Sequence, residues 1–116
     1  RVVLSSIGDL DGHLHRISQL VDTATLLIRK LHNAGITHND AHSNNFMLND
    51  KGRMFLIDYG KAQQGTNLEK YYMDCNRLVN SILKRFDVDS GIYISLQSAL
   101  KKYTKPPTPK ITNIVW

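Results

Sequence analysis

Three side chains near the middle of this 116-residue sequence have the types and spacing that phosphoryl transfer requires. Asp40 is a carboxylate that can accept or orient the proton of an attacking hydroxyl. Asn45 follows five positions later with a neutral amide oxygen, and Asp58 adds anionic oxygens. Magnesium binds oxygen ligands of this kind and neutralises the charge that develops on a polyphosphate during transfer. These residues therefore predict a site that moves a phosphoryl group to a hydroxyl.

A short hairpin must bring these oxygens together, because Asn45 and Asp58 are well separated along the chain. Residues 46–48 and 54–57 are apolar and predict two short strands, and the Asn-Asp-Lys-Gly sequence between them predicts a tight turn. Such a turn reverses the chain and returns Asp58 to the side of Asn45. Gly60 is then expected to allow a sharp bend after the second strand.

Helices are predicted on both sides of this hairpin. Apolar residues recur at helical spacing over about 14–34, and Gly35 stands where a helix commonly ends. A second helix is predicted over about 68–85 and a third, with weaker periodicity, over about 90–103. The expected fold class is therefore α+β, a mainly helical body with a small β-hairpin that carries the chemical loops.

The remaining segments are predicted to lack helical structure. Residues 36–44 are rich in His and Asn, too polar for a core segment and too close to the neighbouring elements for a linker, and residues 61–67 are expected to be a loop. The apolar start of the chain, 2–4, predicts the end of a strand. Three prolines open the segment 105–116 and end regular structure there, because proline fixes φ and lacks a donor.

The His-Asn-Asp sequence that ends at Asp40, with Asn45 five positions later, resembles the catalytic loop of protein kinases. The Asp-Tyr-Gly sequence that begins at Asp58 is similar to the Asp-Phe-Gly metal motif of the same proteins, with Tyr in the Phe position. The resemblance extends over about residues 14–85 in the order and spacing of the elements. It implies the C-terminal lobe of a protein-kinase-like fold.

The resemblance also implies ATP and Mg²⁺, or Mn²⁺, as nucleotide and metal. By this comparison Asp40 is the catalytic residue, and Asn45 and Asp58 bind the metal and, through it, the nucleotide. Met47 takes the position of the residue beneath the adenine ring. His42 takes a position from which it could donate to the phosphate.

Several positions depart from the common protein-kinase pattern. His42 stands where many serine/threonine kinases have Lys, so the loop is closer to the Asp-x-His-x-x-Asn pattern of aminoglycoside and choline kinases and of several atypical protein kinases. It also resembles the loops of kinases encoded by large DNA viruses. Asn39 replaces the Arg through which an activation-loop phosphate acts, so that control is not expected. Asp74 fits either a buried carboxylate that accepts N–H bonds from the catalytic loop or an exposed helix carboxylate.

The same comparison predicts that residues 1–104 are a partial kinase-like domain without its N-terminal lobe, and that 105–116 form a Pro-rich tail. The sequence contains no Gly-rich phosphate loop and no strand Lys with a partner Glu helix, so this stretch alone is expected to bind ATP poorly and to be inactive. Three interpretations follow. The first is a serine/threonine protein kinase, which acts on a protein substrate. The second is a small-molecule kinase of the aminoglycoside or choline type, and the third is a non-catalytic kinase-fold scaffold.

Composition narrows the setting of the protein. The hydrophobic share of 41% and the charged share of 22% are ordinary for a globular domain. The apolar runs are too short to cross a bilayer, so no membrane association is predicted. The single cysteine favours an intracellular, reducing compartment: the cytoplasm or, for a viral protein, the host cell or virion. The net charge of +5 is spread along the chain, so nucleic-acid binding is not predicted.

Overall fold

The periodic segments of the sequence form three helices in the computed structural model, which describes residues 2–3 and 14–104. Five short strands and two single turns of 3₁₀ helix complete the described part. In chain order the elements are β1 (Val2–Val3), α1 (Leu14–Asn33), β2 (Ile36–Thr37), a 3₁₀ turn (Ser43–Asn45), β3 (Phe46–Leu48), β4 (Met54–Leu56), β5 (Gln63–Gln64), α2 (Leu68–Leu83), α3 (Gly91–Leu100) and a second 3₁₀ turn (Lys101–Tyr103). The predicted α+β class, mainly helical with a small hairpin, is confirmed.

Helix α1 buries one face and stops where the sequence predicted. Its fully or nearly fully buried apolar residues recur at spacings of three or four, which places them on one side: Ile17, Val21, Ala24 and Ile28. Gly35 has a φ of +82°, and its N–H donates to the carbonyl of His32 at 2.9 Å. A left-handed residue at this position ends a helix by turning the chain away from the axis. The helix therefore delivers the chain directly to the loop that carries Asp40.

Helices α2 and α3 pack against α1 and enclose the core. Asn67 caps α2, because its side chain accepts the N–H of Lys70 at 2.8 Å, and Ser90 caps α3 by accepting the N–H of Tyr93 at 3.2 Å. The buried apolar residues of these helices are Cys75, Leu78, Val79, Ile82, Leu83, Leu96 and Leu100. Cys75 is fully buried in this core, and burial raises the pKa of its thiol to about 11.

The predicted hairpin is confirmed as strands β3 and β4, with Phe46 opposite Leu56 and Met47 opposite Phe55. Its turn is held by Asn49, whose side-chain oxygen accepts two backbone N–H bonds at 2.9 Å each. Strand β1 adds to the same sheet in antiparallel orientation against β3. The strand predicted at the start of the chain is thus confirmed for its two described residues, and Leu4 lies outside the described part.

The segments 36–44 and 61–67 contain a second, smaller sheet. Strand β2 pairs with β5 in antiparallel orientation, with Ile36 opposite Gln64 and Thr37 opposite Gln63. The loop prediction for 61–67 is wrong at Gln63 and Gln64, because strands of two residues show no alternation that a sequence pattern could reveal. The small sheet joins the chain just before the catalytic loop to the chain just after the Asp-Tyr-Gly sequence. The Pro-rich segment 105–116 lies outside the described residues.

Across the described part of the chain, no helix has both the length and the apolar character needed to cross a bilayer.

Candidate active site

The loop from His38 to Asp40 is tied to the segment that leads into Asp58 by one buried imidazole. His38 is fully buried, and its Nε2 lies 2.9 Å from the carbonyl oxygen of Ile57. The backbone N–H of Asp40 donates to Nδ1 of the same ring at 3.1 Å. A carbonyl can only accept and an N–H can only donate, so the ring carries its proton on Nε2. His38 therefore fixes the distance between the two halves of the site.

Asp74 fixes the same loop from the side of helix α2. It is 2% exposed and accepts the backbone N–H of His38 at 3.0 Å and that of Asn39 at 3.1 Å. The Nε2 of His32 lies 2.8 Å from it, and the other ring nitrogen of His32 is hydrogen-bonded to Thr66. A buried carboxylate needs such partners. Of the two possibilities that the sequence left open for Asp74, the structure therefore shows the buried brace.

Two non-glycine residues of the described part have a left-handed backbone, and both lie in this site. The φ angle is 68° at Asn39 and 61° at Asp58. This conformation costs a residue with a side chain about 1–2 kcal/mol, and it persists only where the surroundings enforce it. The bend expected at Gly60 is present: Gly60 lies within a turn that the N–H of Ala62 closes by donating to the carbonyl of Tyr59 at 3.0 Å, and the Asp58 side chain accepts the N–H of Gly60 at 3.4 Å.

Asp40, His42 and Asn45 are brought together by the 3₁₀ turn. The amide nitrogen of Asn45 donates to the backbone oxygen of Asp40 at 2.7 Å and lies 3.4 Å from its carboxylate Oδ2. On the other side of the carboxylate, Nε2 of His42 lies 3.5 Å from Oδ1. The candidate base therefore has the Asn45 amide beside one oxygen and the His42 imidazole beside the other, and it is still partly open, with a side-chain exposure of 15%.

Asn45 and Asp58 are the residues that the sequence predicts to hold a divalent cation. Because the amide nitrogen of Asn45 is used by Asp40, the amide oxygen is left without a donor among the described residues. The N–H of Ile57 donates to the backbone oxygen of Asn45 at 2.8 Å, which places Asp58 one residue beyond this bond. No group of three or more His, Cys, Asp or Glu with metal-ligand geometry occurs in residues 14–104. An amide and one or two carboxylates are nevertheless a common protein share of a magnesium site that substrate phosphates complete.

Lys61 is a member of this site that the sequence did not predict. Its Nζ lies 3.9 Å from Oδ1 of Asp40, although the two residues belong to different segments. Asn39 holds the backbone beneath it, because the side-chain amide of Asn39 donates to the carbonyl of Lys61 at 3.0 Å. Only its position directly after the Asp-Tyr-Gly sequence could have indicated this, since the contact depends on the fold.

Met47 lies on the outward face of the hairpin. Phe46, Leu48 and Met54 point into the core, whereas Met47 is half-buried and its neighbour Phe55 is 44% exposed. The alternation of a strand explains this division, because successive side chains point to opposite faces. An apolar platform of this kind could support a flat aromatic ring, so Met47 remains a prediction as the residue beneath the adenine.

An open cavity of about 700 Å³ begins at His42 and runs along helix α2. Its described lining residues are polar or basic apart from one methionine: His42, Ser43, Asn44, Met73, Asn76, Arg77, Asn80, Ser81, Lys84 and Arg85. None of these residues is acidic. A concave surface that includes His42 and is lined by Arg77 and Lys84 could receive an anionic acceptor molecule.

The braced catalytic loop, the hairpin and the helix that carries Asp74 define the C-terminal lobe of a protein-kinase-like fold. Residues 4–100 match the lipopolysaccharide kinase (Kdo/WaaP) family, and the chain belongs to that family. Its members are kinases, so the chain is part of a phosphotransferase family, as the sequence predicted.

Two curated proteins are similar over part of the chain. A 3-deoxy-D-manno-octulosonic acid kinase of Vibrio parahaemolyticus is 32% identical over 57 residues, which are 49% of this chain and 24% of that protein. A probable bifunctional tRNA threonylcarbamoyladenosine biosynthesis protein of Thermoplasma acidophilum is 36% identical over 78 residues, which are 67% of this chain and 14% of that protein. The chain thus spans a quarter or less of either relative. No solved structure matches the chain.

Proposed function

We propose that the protein containing this chain transfers the γ-phosphoryl group of ATP to a hydroxyl in a reaction that requires Mg²⁺ or Mn²⁺. One observation carries the proposal: a partly open carboxylate, Asp40, stands between an amide and an imidazole on a loop that His38 and Asp74 hold rigidly. Phosphoryl transfer requires preorganised groups of this kind, because positioning of the reactants and stabilisation of charge supply most of the catalysis.

Each residue of the site has a definite task in this proposal. Asp40 orients the acceptor hydroxyl and takes its proton as the new oxygen–phosphorus bond forms. Asn45 and Asp58 hold the divalent cation, which neutralises charge on the nucleotide phosphates when it is bound. His42 donates a hydrogen bond towards the phosphate, and Met47 supports the adenine.

The acceptor has two candidates. The order of the catalytic loop and the metal motif favours serine or threonine of a protein substrate, as in protein kinases. The cavity beside His42 favours a small anionic molecule instead, because Arg77 and Lys84 line it and no described lining residue is acidic. The name of the Vibrio relative specifies a sugar acid as its substrate, which agrees with the second candidate. A cationic acceptor of the aminoglycoside type is disfavoured by the same charges.

The organisation and setting of the protein belong to the same proposal. Residues 1–104 would be part of one kinase-like domain and 105–116 a tail, which the family match over 4–100 supports. A reducing intracellular compartment would supply ATP and suit the single buried cysteine. The resemblance to kinases of large DNA viruses stays a prediction.

The intact protein with radiolabelled ATP and magnesium tests the proposal. We expect label to move to a sugar acid or to a serine-containing protein, and chelation of the metal to stop it. The Asp40→Asn variant should lose about 10²–10⁴-fold in kcat, which is the usual contribution of a positioned general base. Asp22→Asn, a change of an exposed carboxylate on α1, is the matched control and should keep the original rate.

Two results would contradict this function. Transfer by the Asp40→Asn variant at the original rate would remove the base from the mechanism. If the intact protein shows neither transfer nor nucleotide-dependent metal binding that the Asp58→Ala change abolishes, the non-catalytic scaffold is the correct interpretation.

A further inference from the structure

The contact between Lys61 and Asp40 is not explained by stability. The Lys61 side chain is 68% exposed, and its Nζ lies at 3.9 Å from the carboxylate oxygen. Ion pairs of this kind in water contribute little, because solvent screens the attraction and the long side chain loses freedom. A cation beside a candidate base therefore calls for a chemical explanation.

Hydrogen bonds fix the backbone at Lys61 and on both sides of it. The carbonyl of Lys61 accepts the side-chain amide of Asn39 at 3.0 Å, and Asn39 is the residue before the candidate base. The N–H of Ala62 donates to the carbonyl of Tyr59 at 3.0 Å, which closes a turn around Lys61. One residue further on, Gln63 enters the ladder with β2. The fold thus fixes the backbone position of Lys61, while most of its side chain is exposed to solvent.

On the catalytic loop, the side chain that could donate to the phosphoryl group is the imidazole of His42, which binds phosphate less well than the ammonium group of a lysine. His42 lies 3.5 Å from the same oxygen of Asp40 that faces Lys61. An imidazole has at most two donors, and its charge varies around neutral pH, whereas an ammonium group is a compact charge with three donors that binds phosphate oxygens well. Negative charge spreads over three phosphoryl oxygens during transfer, and a cation at this place would stabilise it.

We propose that Lys61 binds the phosphoryl group during its transfer, in place of a lysine on the catalytic loop; this rests on the function proposed above. The acceptor oxygen forms a bond to the γ-phosphorus while the bond from that phosphorus to ADP breaks, and ADP leaves with the electron pair. The hydroxyl proton passes to Asp40. Lys61 stays protonated throughout and moves its ammonium group from Asp40 to the phosphoryl oxygens.

Kinetics of the intact protein test this inference through Lys61→Gln and Lys61→Arg. We expect Lys61→Gln to lower kcat by about 10²–10³-fold, the range seen when one donor to developing charge is removed, with little change in the KM for ATP. Lys61→Arg keeps a cation and should recover part of the loss. Lys51→Gln is the matched control, since Lys51 is an exposed lysine in the hairpin turn, and it should behave as the unsubstituted protein.

A binding measurement separates this assignment from a general effect on the nucleotide site. The affinity for ADP and magnesium is measured by calorimetry with and without aluminium fluoride, which mimics the phosphoryl group in transfer. Lys61→Gln should weaken binding about tenfold or more with the fluoride present and leave binding of ADP alone unchanged.

The inference is overturned if Lys61→Gln keeps kcat within twofold, or if it weakens ADP alone as much as ADP with the fluoride. Either result, obtained with an unsubstituted protein that transfers phosphate, leaves the proposed function standing. If the unsubstituted protein transfers no phosphate to any acceptor, the proposed function fails and the assignment of Lys61 fails with it.

Discussion

Asp74 shows how much of this site depends on a residue that never meets the substrate. Its carboxylate accepts two backbone N–H groups of the catalytic loop, from His38 and Asn39, and the ring of His32 at the end of α1. These three donors are at or near the protein interior, where water cannot replace a lost partner cheaply. Asp74 therefore connects α1, α2 and the loop that carries Asp40.

Replacement of Asp74 by alanine should destabilise the protein by about 3 kcal/mol or more, because it leaves three donors without an acceptor and each lost partner costs about 1–3 kcal/mol when buried. Asp74→Asn keeps one acceptor oxygen and should cost less. Denaturation with urea measures the free energy of unfolding for each variant. Asp22→Ala, an exposed carboxylate on α1, is the control and should change it by less than about 0.5 kcal/mol. Equal stability of Asp74→Ala and Asp22→Ala would mean that the carboxylate does not brace the loop.

Motif spacing is what predicts Asp40, Asn45 and Asp58 as a set, and their roles stay a prediction. The sequence could not decide the place of Asp74, because burial depends on how α2 packs against the rest. Lys61 was beyond reach for the same reason: its neighbour Asp40 is brought close only by the β2–β5 ladder.

Among the elements, the junction between α1 and β2 controls where the catalytic loop starts. Gly35 has a φ of +82°, which ends helix α1. The carbonyl of Gly35 also accepts the N–H of Gly65 at 2.7 Å, so the end of α1 is hydrogen-bonded to the segment that follows β5. A Cβ atom added at Gly35 would have no neighbour within 4 Å, so only the positive φ angle disfavours a residue with a side chain at this position.

A matched pair of glycine substitutions isolates that angle. Gly35→Ala should cost about 1–2 kcal/mol, the penalty of a left-handed backbone for a residue with a side chain. Gly91→Ala, at the start of α3, also meets nothing within 4 Å but has no positive φ, so it should be neutral or slightly stabilising. Thermal unfolding of both variants gives the comparison. A loss at Gly91 as large as that at Gly35 would contradict the backbone explanation.

The helices and strands also differ in how well the sequence predicts them. Helix α1 and the β3–β4 hairpin were predictable, because 20 residues of helical periodicity and a turn with Asn and Gly are strong patterns. Strands β2 and β5 were not, because two residues cannot show a period and Gln63 and Gln64 are exposed and polar. Their pairing follows from the surrounding structure.

At the scale of the whole molecule, the fold concentrates a positive charge that the sequence spreads out. Arg77 and Lys84 are seven residues apart, so they fall on the same side of α2, and both line the cavity that begins at His42. The net charge of +5 alone predicted no partner. In the cavity that also contains His42, part of that charge becomes a local attraction for anions.

The double variant Arg77→Gln/Lys84→Gln tests whether this attraction selects the acceptor. For an anionic acceptor such as a sugar acid, the KM should rise about tenfold, because two cations that each contribute a fraction of a kcal/mol to about 1 kcal/mol are removed from an open cavity. Added salt should raise the KM of the unsubstituted protein and affect the variant less, since screening acts on the removed charges. The KM for ATP and kcat should stay close to their original values.

Lys51→Gln/Lys102→Gln removes the same charge elsewhere on the surface and should leave the acceptor KM unchanged. If both double variants shift the KM equally, net charge and not the cavity attracts the acceptor; if neither does, the acceptor is neutral or binds on another face.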